Sequence, residues 1–322
     1  MKIIDMHCDT ILGLLEKEQK YQDVSLYAND LCVDIQKLKA GDYLIQNFAL
    51  FTDQKTLEIP EHQTMKLMDM YYRMLEENQE YIAPVLRYDD IERNAKDGKL
   101  SAMLTLEDGG VVFDDLAMLR NYYRLGVRMI ALTWNYENCI GSPNSANRKV
   151  MRKGLKPFGI ETVRRMNELG MIVDVSHLSD GGFYDCVKYS EFPIVASHSN
   201  ARSLCLHPRN LTDEMLRLLG NKGGVAGVNF YSAFLRKEGR AEISDIVKHI
   251  LYMIDKAGED AVALGTDFDG FSKEALPGEI RDVEDMWKLW ERLERAGLTG
   301  RQIEKFASGN ILRVMNDVLR KK

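Results

Sequence analysis

Six side chains able to hold a metal ion or move a proton stand at the ends of apolar segments: His7, Asp9, Glu107, His177, His198 and Asp267. His7 and Asp9 are two apart, so on an extended strand both point one way while Met6 and Cys8 point to the other face. Such a pair can grip one divalent ion, although a buried histidine bonded to a nearby acid is the commoner arrangement of a lone His-X-Asp. Glu107 closes the run Met103-Leu-Thr-Leu, where a carboxylate is costly to bury unless it is paired or meets a cation. One carboxylate in that position can bridge two ions about 3.5–4 Å apart; the plainer role is to cap the following helix. His177 and His198 close matching runs, Val173-Asp-Val-Ser-His and Ile194-Val-Ala-Ser-His, and suit imidazole ligation of a second ion. Three histidines and two carboxylates without a thiolate favour zinc, with manganese, iron or cobalt also able to fit.

Asp267 lies in Gly265-Thr-Asp-Phe-Asp-Gly. A carboxylate there can take a proton from an activated water and pass it to a leaving amine, so Asp267 is the candidate general base and acid. Asp269, followed by Gly270, reads as turn chemistry. In His207-Pro-Arg-Asn, Arg209 can clamp a substrate carboxylate through two parallel hydrogen bonds. Tyr231 is a further candidate for substrate contact. His62 and His249 fall within helical patterns away from segment ends and read as solvent-facing, and Cys8 reads as a packed thiol.

These residues come together only if the elements carrying them converge. Eight apolar, β-branched segments recur, at residues 2–7, 43–51, 101–107, 128–134, 171–177, 192–198, 224–230 and 261–267. Several are nearly continuous apolar runs, as strands covered on both faces require. Helical patterns alternate with them. The stretch 60–78 has an apolar side made by Met65, Leu67, Met68, Met70, Tyr71 and Met74; 156–169 ends at Gly170 and 212–219 at Gly220; Thr299 and Gln302 form a capping box that opens a helix closed by Gly309. Alternation predicts an α/β fold, a (β/α)8 barrel forming a single domain over 1–322, with an open doubly wound sheet as the competing arrangement. In a closed barrel all the carboxyl-terminal strand ends share one mouth, and the six residues become one ring.

Composition narrows the partners. The 322 residues include 45% hydrophobic ones and carry a formal net charge of −6, with no dense basic run, which excludes nucleic acid as an expected partner. Five widely spaced cysteines without a Cys-X-X-Cys pair fit free thiols in a reducing cytoplasm. The amino terminus lacks the apolar stretch of a signal peptide, and no run of about 18 apolar residues occurs, so no membrane association is expected. A homodimer is compatible with the sequence.

Taken in order, Asp5-Met-His-Cys-Asp-Thr, Leu106-Glu-Asp-Gly, Val173-Asp-Val-Ser-His, Ala196-Ser-His-Ser-Asn, His207-Pro-Arg-Asn, Gly265-Thr-Asp-Phe-Asp-Gly and Gly309-Asn-Ile-Leu-Arg-Val make nearly the whole chain resemble the membrane (renal) dipeptidase family of zinc metallopeptidases, related to the amidohydrolases. The resemblance implies a two-zinc site in which His7 and Asp9 hold one ion, His177 and His198 the other, and Glu107 bridges them. It further implies that Asp267 handles protons, that Arg209 receives the carboxylate of a free dipeptide, and that a water between the ions attacks the peptide bond. The family often tolerates a D-residue at the C-terminal position, and some members open β-lactams. This chain departs from it after the fourth strand, where mammalian members carry a substrate-contacting histidine and Leu132-Thr-Trp-Asn-Tyr-Glu-Asn stands here. Asn135 can instead donate to a developing oxyanion. Another amidohydrolase, acting on acyl-amino acids, cyclic amides or lactones, and a non-catalytic metal-binding barrel are the rival readings.

Overall fold

The computed structural model describes residues 1–319. Its sheet is wholly parallel: β1 (Ile3–Asp5), β2 (Tyr43–Phe51), β3 (Ile82–Pro84), β4 (Leu100–Glu107), β5 (Val127–Ala131), β6 (Ile172–Asp174), β7 (Val195–Ala196), β8 (Val225–Val228) and β9 (Val262–Leu264). β1 pairs with both β2 and β9, and β2 pairs with β4, so the sheet closes on itself. Eight strands make that ring. β3, which the sequence patterns do not reveal, lies beside residues 100–102 of β4, and the rest of β4 pairs with β5. The outcome is the expected (β/α)8 barrel.

Strand alternation divides the core in two. Leu104 and Leu106 of β4 face the surrounding helices, whereas Met103 faces the barrel interior beside Ile4, Ile45, Met129, Ile172 and Val225. By the same period of two, Glu107 inherits the interior face at the end of its strand. The helix Asn310–Leu319 packs Ile311, Val314, Met315 and Val318 against that interior cluster, closing the amino-terminal end of the barrel.

Several local expectations change. Gly170 closes Pro157–Leu169 in the left-handed region, φ 75°, as expected. Gly220, however, lies inside the helix Asp213–Asn221, and Gly223 takes the left-handed turn at φ 72°. A Cβ on Gly220 would meet the Ala257 carbonyl oxygen at 2.2 Å, so close helix packing is what requires glycine there. The Thr299–Gln302 capping box forms, but Gly309 does not close the helix: a π turn over Lys305–Gly309 carries it onward into Asn310–Leu319. Within Pro60–Glu77 the apolar side is buried except Met65, which is 45% exposed. His249 is buried, not solvent-facing; its Nδ1 accepts from the Ala201 amide and its Nε2 donates to the Leu235 carbonyl. His62 is exposed. Met6 and Cys8 do not share a face, because β1 ends at Asp5 and alternation stops: Met6 joins the interior cluster and Cys8 the helix-facing one.

Two glycines set the barrel's width at mid-height. A Cβ on Gly265 would lie 1.7 Å from the Ser197 carbonyl oxygen, and one on Gly227 2.0 Å from the same atom. Backbone cannot yield as a side chain does, so Gly265→Ala is expected to lower unfolding stability by at least about 2 kcal/mol, at the upper part of the range for overpacked cores. The midpoint of urea unfolding measures this, and an unchanged midpoint contradicts the tight approach.

Candidate metal centre

The predicted ring assembles at the carboxyl-terminal mouth. Glu107 ends β4; His7 lies two residues beyond β1, His177 three beyond β6, His198 two beyond β7 and Asp267 three beyond β9. The strands are shorter than the apolar runs suggest because their last residues leave the ladder to turn inward. The amides of Ser176 and Ser197 both donate to Asp174 Oδ1 at 2.9 Å. His177 and Asp267 adopt left-handed backbone, φ 65° and 64°, a conformation costing about 1–3 kcal/mol that gathers at functional sites.

Glu107 is the hub, and its two oxygens face different partners. Oε2 lies 3.5 Å from His7 Nε2. Oε1 lies 3.0 Å from His177 Nε2 and 3.5 Å from His198 Nε2. His7 Nε2 is also 3.3 Å from Asp9 Oδ2 and 3.7 Å from Asp267 Oδ1, and the two imidazole nitrogens of His177 and His198 approach to 3.0 Å. Three overlapping sets of possible ligands result: His7, Asp9 and Glu107; Glu107, His177 and His198; His7, His198 and Asp267.

The donor set fits divalent cations. Asp9 Oδ1 is buried with no hydrogen-bond partner among the described residues, an orphaned acceptor in a nest of acceptors that a cation would satisfy. Gly270 leaves the space open, since a Cβ there would sit 2.3 Å from Asp267 Oδ1 and 2.6 Å from Asp9 Oδ2.

Electrostatics express the same crowding. Burial works against the His7 imidazolium, yet the Glu107 and Asp9 carboxylates outweigh it and hold its pKa well above the ordinary value. Burial also opposes the Glu107 carboxylate, but His7, His177 and His198 hold it well below the usual range. Asp9 is pushed up to about 6 by burial and by the Glu107 charge. Asp267 is pushed up to about 7, mainly by burial and then by Asp9 and Glu107. Burial, then the Arg209 charge, takes His177 down to about 4, and burial, then the His7 charge, holds His198 well below its ordinary value.

The other predicted residues fall around this centre in unequal ways. Asn135 lines the cavity above it, but its Oδ1 accepts from His177 Nδ1 at 3.0 Å, so it orients a histidine where the sequence suggested an oxyanion donor. Arg209 is buried: Nη1 donates to Ser199 Oγ and Nη2 to the His198 carbonyl, while Nε has no partner among the described residues. Its guanidinium lies 5.4 Å from the Phe234 ring, which lines the cavity. Tyr231 lines it too, packed at 4.9 Å against both Phe234 and Phe271. Asp269 has the expected turn backbone, φ 66°, and more besides: its carboxylate accepts from Thr10 Oγ1 and the Cys32 amide, each at 2.7 Å.

Sequence reasoning missed several supporting groups. Asp5 accepts from the Thr266 amide and hydroxyl at 2.9 and 2.6 Å, tying β1 to the segment after β9. Asp174 does the same between β6 and β7 through Ser197. Both are acids within apolar strands, a signal as strong as that of Glu107. Asn229 donates to Asp267 Oδ2 at 2.8 Å. Phe51 and Trp134, 4.6 Å apart, form the opposite wall, and the cavity so enclosed measures about 320 Å³.

Known proteins place this architecture. An uncharacterized dipeptidase of Schizosaccharomyces pombe is 35% identical over 97% of this chain and 79% of its own length. An uncharacterized protein from the pqqA 5′ region of Klebsiella pneumoniae is 40% identical over 71% of this chain and 86% of its own. Among solved structures, dipeptidase AC, a metallo peptidase of family M19, superimposes with a TM-score of 0.89 at 24% identity, covering 99% of each chain. A metallo peptidase from Rhodobacter sphaeroides liganded with a phosphinate mimic of the dipeptide L-Ala-D-Ala gives 0.88 at 23% identity, again over 99% of each; both likenesses speak for the fold. The description of the membrane dipeptidase family, peptidase family M19, matches residues 1–322, and the chain belongs to that family.

Proposed function

We propose that this metallo-dipeptidase hydrolyses free dipeptides with two divalent ions, zinc by preference, held by His7 and Asp9 on one side and His177 and His198 on the other, with Glu107 shared between them. The observation that carries the reading is the division of Glu107, one oxygen toward His7 and the other toward His177 and His198. Ions bound there would supply Lewis-acid activation of a water and of the scissile carbonyl.

The chain's own groups account for the rest. Asp267, pushed up to about 7 by burial and its acidic neighbours in the metal-free site, is the carboxylate placed to take a proton from water and return it to the leaving amine. Asn229 fixes one of its oxygens and leaves the other, Oδ1, facing His7. Arg209 supplies the cation for the dipeptide's free carboxylate, with Nε–H and the second hydrogens of Nη1 and Nη2 left to offer it. Asn135 keeps His177 oriented and has its amide nitrogen left for the substrate, and Tyr231 contacts the substrate from the aromatic wall. Acceptance of a D-residue at the C-terminal position belongs to this reading, supported by the fold shared with the Rhodobacter sphaeroides protein and its L-Ala-D-Ala mimic. A cytoplasmic location is supported by the five cysteines, all free. No helix among the described residues is long and apolar enough to cross a membrane.

Exhaustive chelation is expected to abolish hydrolysis of an L,L and L,D dipeptide panel, and added zinc to restore it, while C-terminally amidated dipeptides remain poor substrates throughout. Full activity after chelation, or equal cleavage of amidated dipeptides, refutes the reading. Asp267→Asn should lower kcat by about 10²–10⁴-fold with little change in KM; steady-state kinetics decide, and a loss confined to KM removes Asp267 from proton transfer. A ligand imidazole must be neutral, and His7 holds a proton in the metal-free site because its pKa is raised. Loading zinc near neutral pH should therefore release about one proton from His7 per centre, and affinity should weaken as pH falls. A pH-stat titration showing no release contradicts this account of the site.

A further inference from the structure

His198 can ligate through Nε2 only if its proton sits on Nδ1, since a lone pair must face the centre. Nε2 lies 3.5 Å from Glu107 Oε1, and Nδ1 lies 2.7 Å from Ser197 Oγ. A serine hydroxyl can donate to a histidine nitrogen or accept from it, so the Ser197 contact alone leaves both tautomers open. The groups behind Ser197 remove that freedom. Asp174 Oδ1 is occupied by two backbone amides, those of Ser176 and Ser197, and Oδ2 lies 2.5 Å from Ser197 Oγ. A hydroxyl has a single proton, and a short bond to a carboxylate holds it more strongly than the 3.2 Å contact to the neutral Ser176 hydroxyl. With that proton committed to Asp174, Ser197 Oγ can only accept from His198. Ser176 Oγ meanwhile accepts the His198 amide at 3.0 Å, fixing the backbone that carries the ring.

We infer that Asp174 and Ser197 are positioning residues that lock His198 in its ligating tautomer through a one-way relay, Nδ1–H to Oγ and Oγ–H to carboxylate. The inference rests on the reading of His198 as a metal ligand. The relay also explains why an acid stands inside the otherwise apolar strand β6 with no ion pair among the described residues, since a hydroxyl and two amides are its partners.

Asp174→Asn separates this role from a merely structural one because it is nearly isosteric. The two backbone amides hold the Asn oxygen, so the amide nitrogen faces Ser197 and donates to it. The Ser197 proton then turns to the better of its two remaining acceptors, Nδ1 at 2.7 Å rather than the Ser176 hydroxyl at 3.2 Å, which drives the imidazole proton onto Nε2. Ser197→Ala only deletes the acceptor, and Ser197→Thr keeps the hydroxyl. Zinc affinity of the full chain, measured by competition with a chromophoric chelator, is expected to fall by about 10–100-fold in Asp174→Asn, by less in Ser197→Ala, and to recover in Ser197→Thr. Long-range ¹H–¹⁵N spectra of the metal-free proteins should place the His198 proton on Nδ1 in the wild type and on Nε2 in Asp174→Asn. Equal zinc affinity in Asp174→Asn and wild type, or a wild-type proton on Nε2, overturns the relay. If Asp174→Asn does not fold, the wild-type spectrum and the Ser197 pair decide alone. A wild-type chain that holds no zinc while its His198 proton sits on Nδ1 overturns the metal reading and leaves the relay's geometry standing.

Discussion

A carboxylate that is only 5% exposed and surrounded by three imidazoles is the constraint on which the rest of this structure depends. An ionised group taken out of water loses several kcal/mol of solvation unless opposite charge or hydrogen bonds replace it. Glu107 has these replacements, but they come from β1, β6 and β7, so its burial is tolerable only when the barrel is closed. The coupling runs both ways. Asp9 and Asp267 crowd the same space, both pushed up by burial and by the Glu107 charge, and the single elevated imidazolium, His7, does not neutralise three acids. The protein alone leaves this centre short of positive charge, which is the physical sense in which it is made for cations.

The fold meets that demand by ending its strands early. β6, β7 and β9 give up ladder positions so that Ser176, Ser197, Thr266 and their neighbours can bond to Asp174 and Asp5. The amides of Ser176, Ser197 and Thr266 bond to carboxylates in place of ladder carbonyls, which keeps them paired while the following residue turns inward. His177 and Asp267 make that turn in the left-handed region. Strain of this kind persists where the surroundings over-determine it. Here the surroundings are the packed barrel interior and the carboxyl-terminal helix beneath it.

The ring of acids and histidines was legible because a barrel makes strand ends converge: polar residues that end apolar runs must be neighbours, whatever their separation in sequence. His7, Asp9, Glu107, His177, His198 and Asp267 could all be read that way. Residues acting through others could not. Asp5 and Asp174 look in sequence like errors in apolar strands, and only the closed barrel shows which hydroxyl each one meets. Arg209 was found by its setting, but its burial against Phe234 and its two acceptors could not be read from charge alone. β3 was missed for lack of length, three residues with a proline at the end. Gly220 and Gly309 misled because a glycine near a helix end signals a cap by propensity, while close packing and a π turn are tertiary demands that local sequence does not carry. His249 failed for the same reason, being a polar residue on a helix whose partners are the Ala201 amide and the carbonyl that ends the short helix Ser232–Leu235.

The acids that bond beside His7 and His198 are also those that clip adjacent strands, and this ties stability to the geometry of the site. Asp174 bonds β6 to the segment leaving β7 and also faces the hydroxyl next to His198. Asp5 bonds β1 to the segment that carries Asp267 and also receives the His7 amide. Replacing either acid with an apolar residue would strand two buried amides and a hydroxyl, so these positions are held by the fold before catalysis makes any demand on them. The aromatic walls are under no such double constraint. Phe51, Trp134, Tyr231 and Phe271 pack on one another at the rim, where a change of side chain alters the shape of the cavity without removing a strand contact. The barrel therefore separates what must stay, the acid and hydroxyl clips around the centre, from what can vary, the ring of aromatic side chains that a substrate meets first.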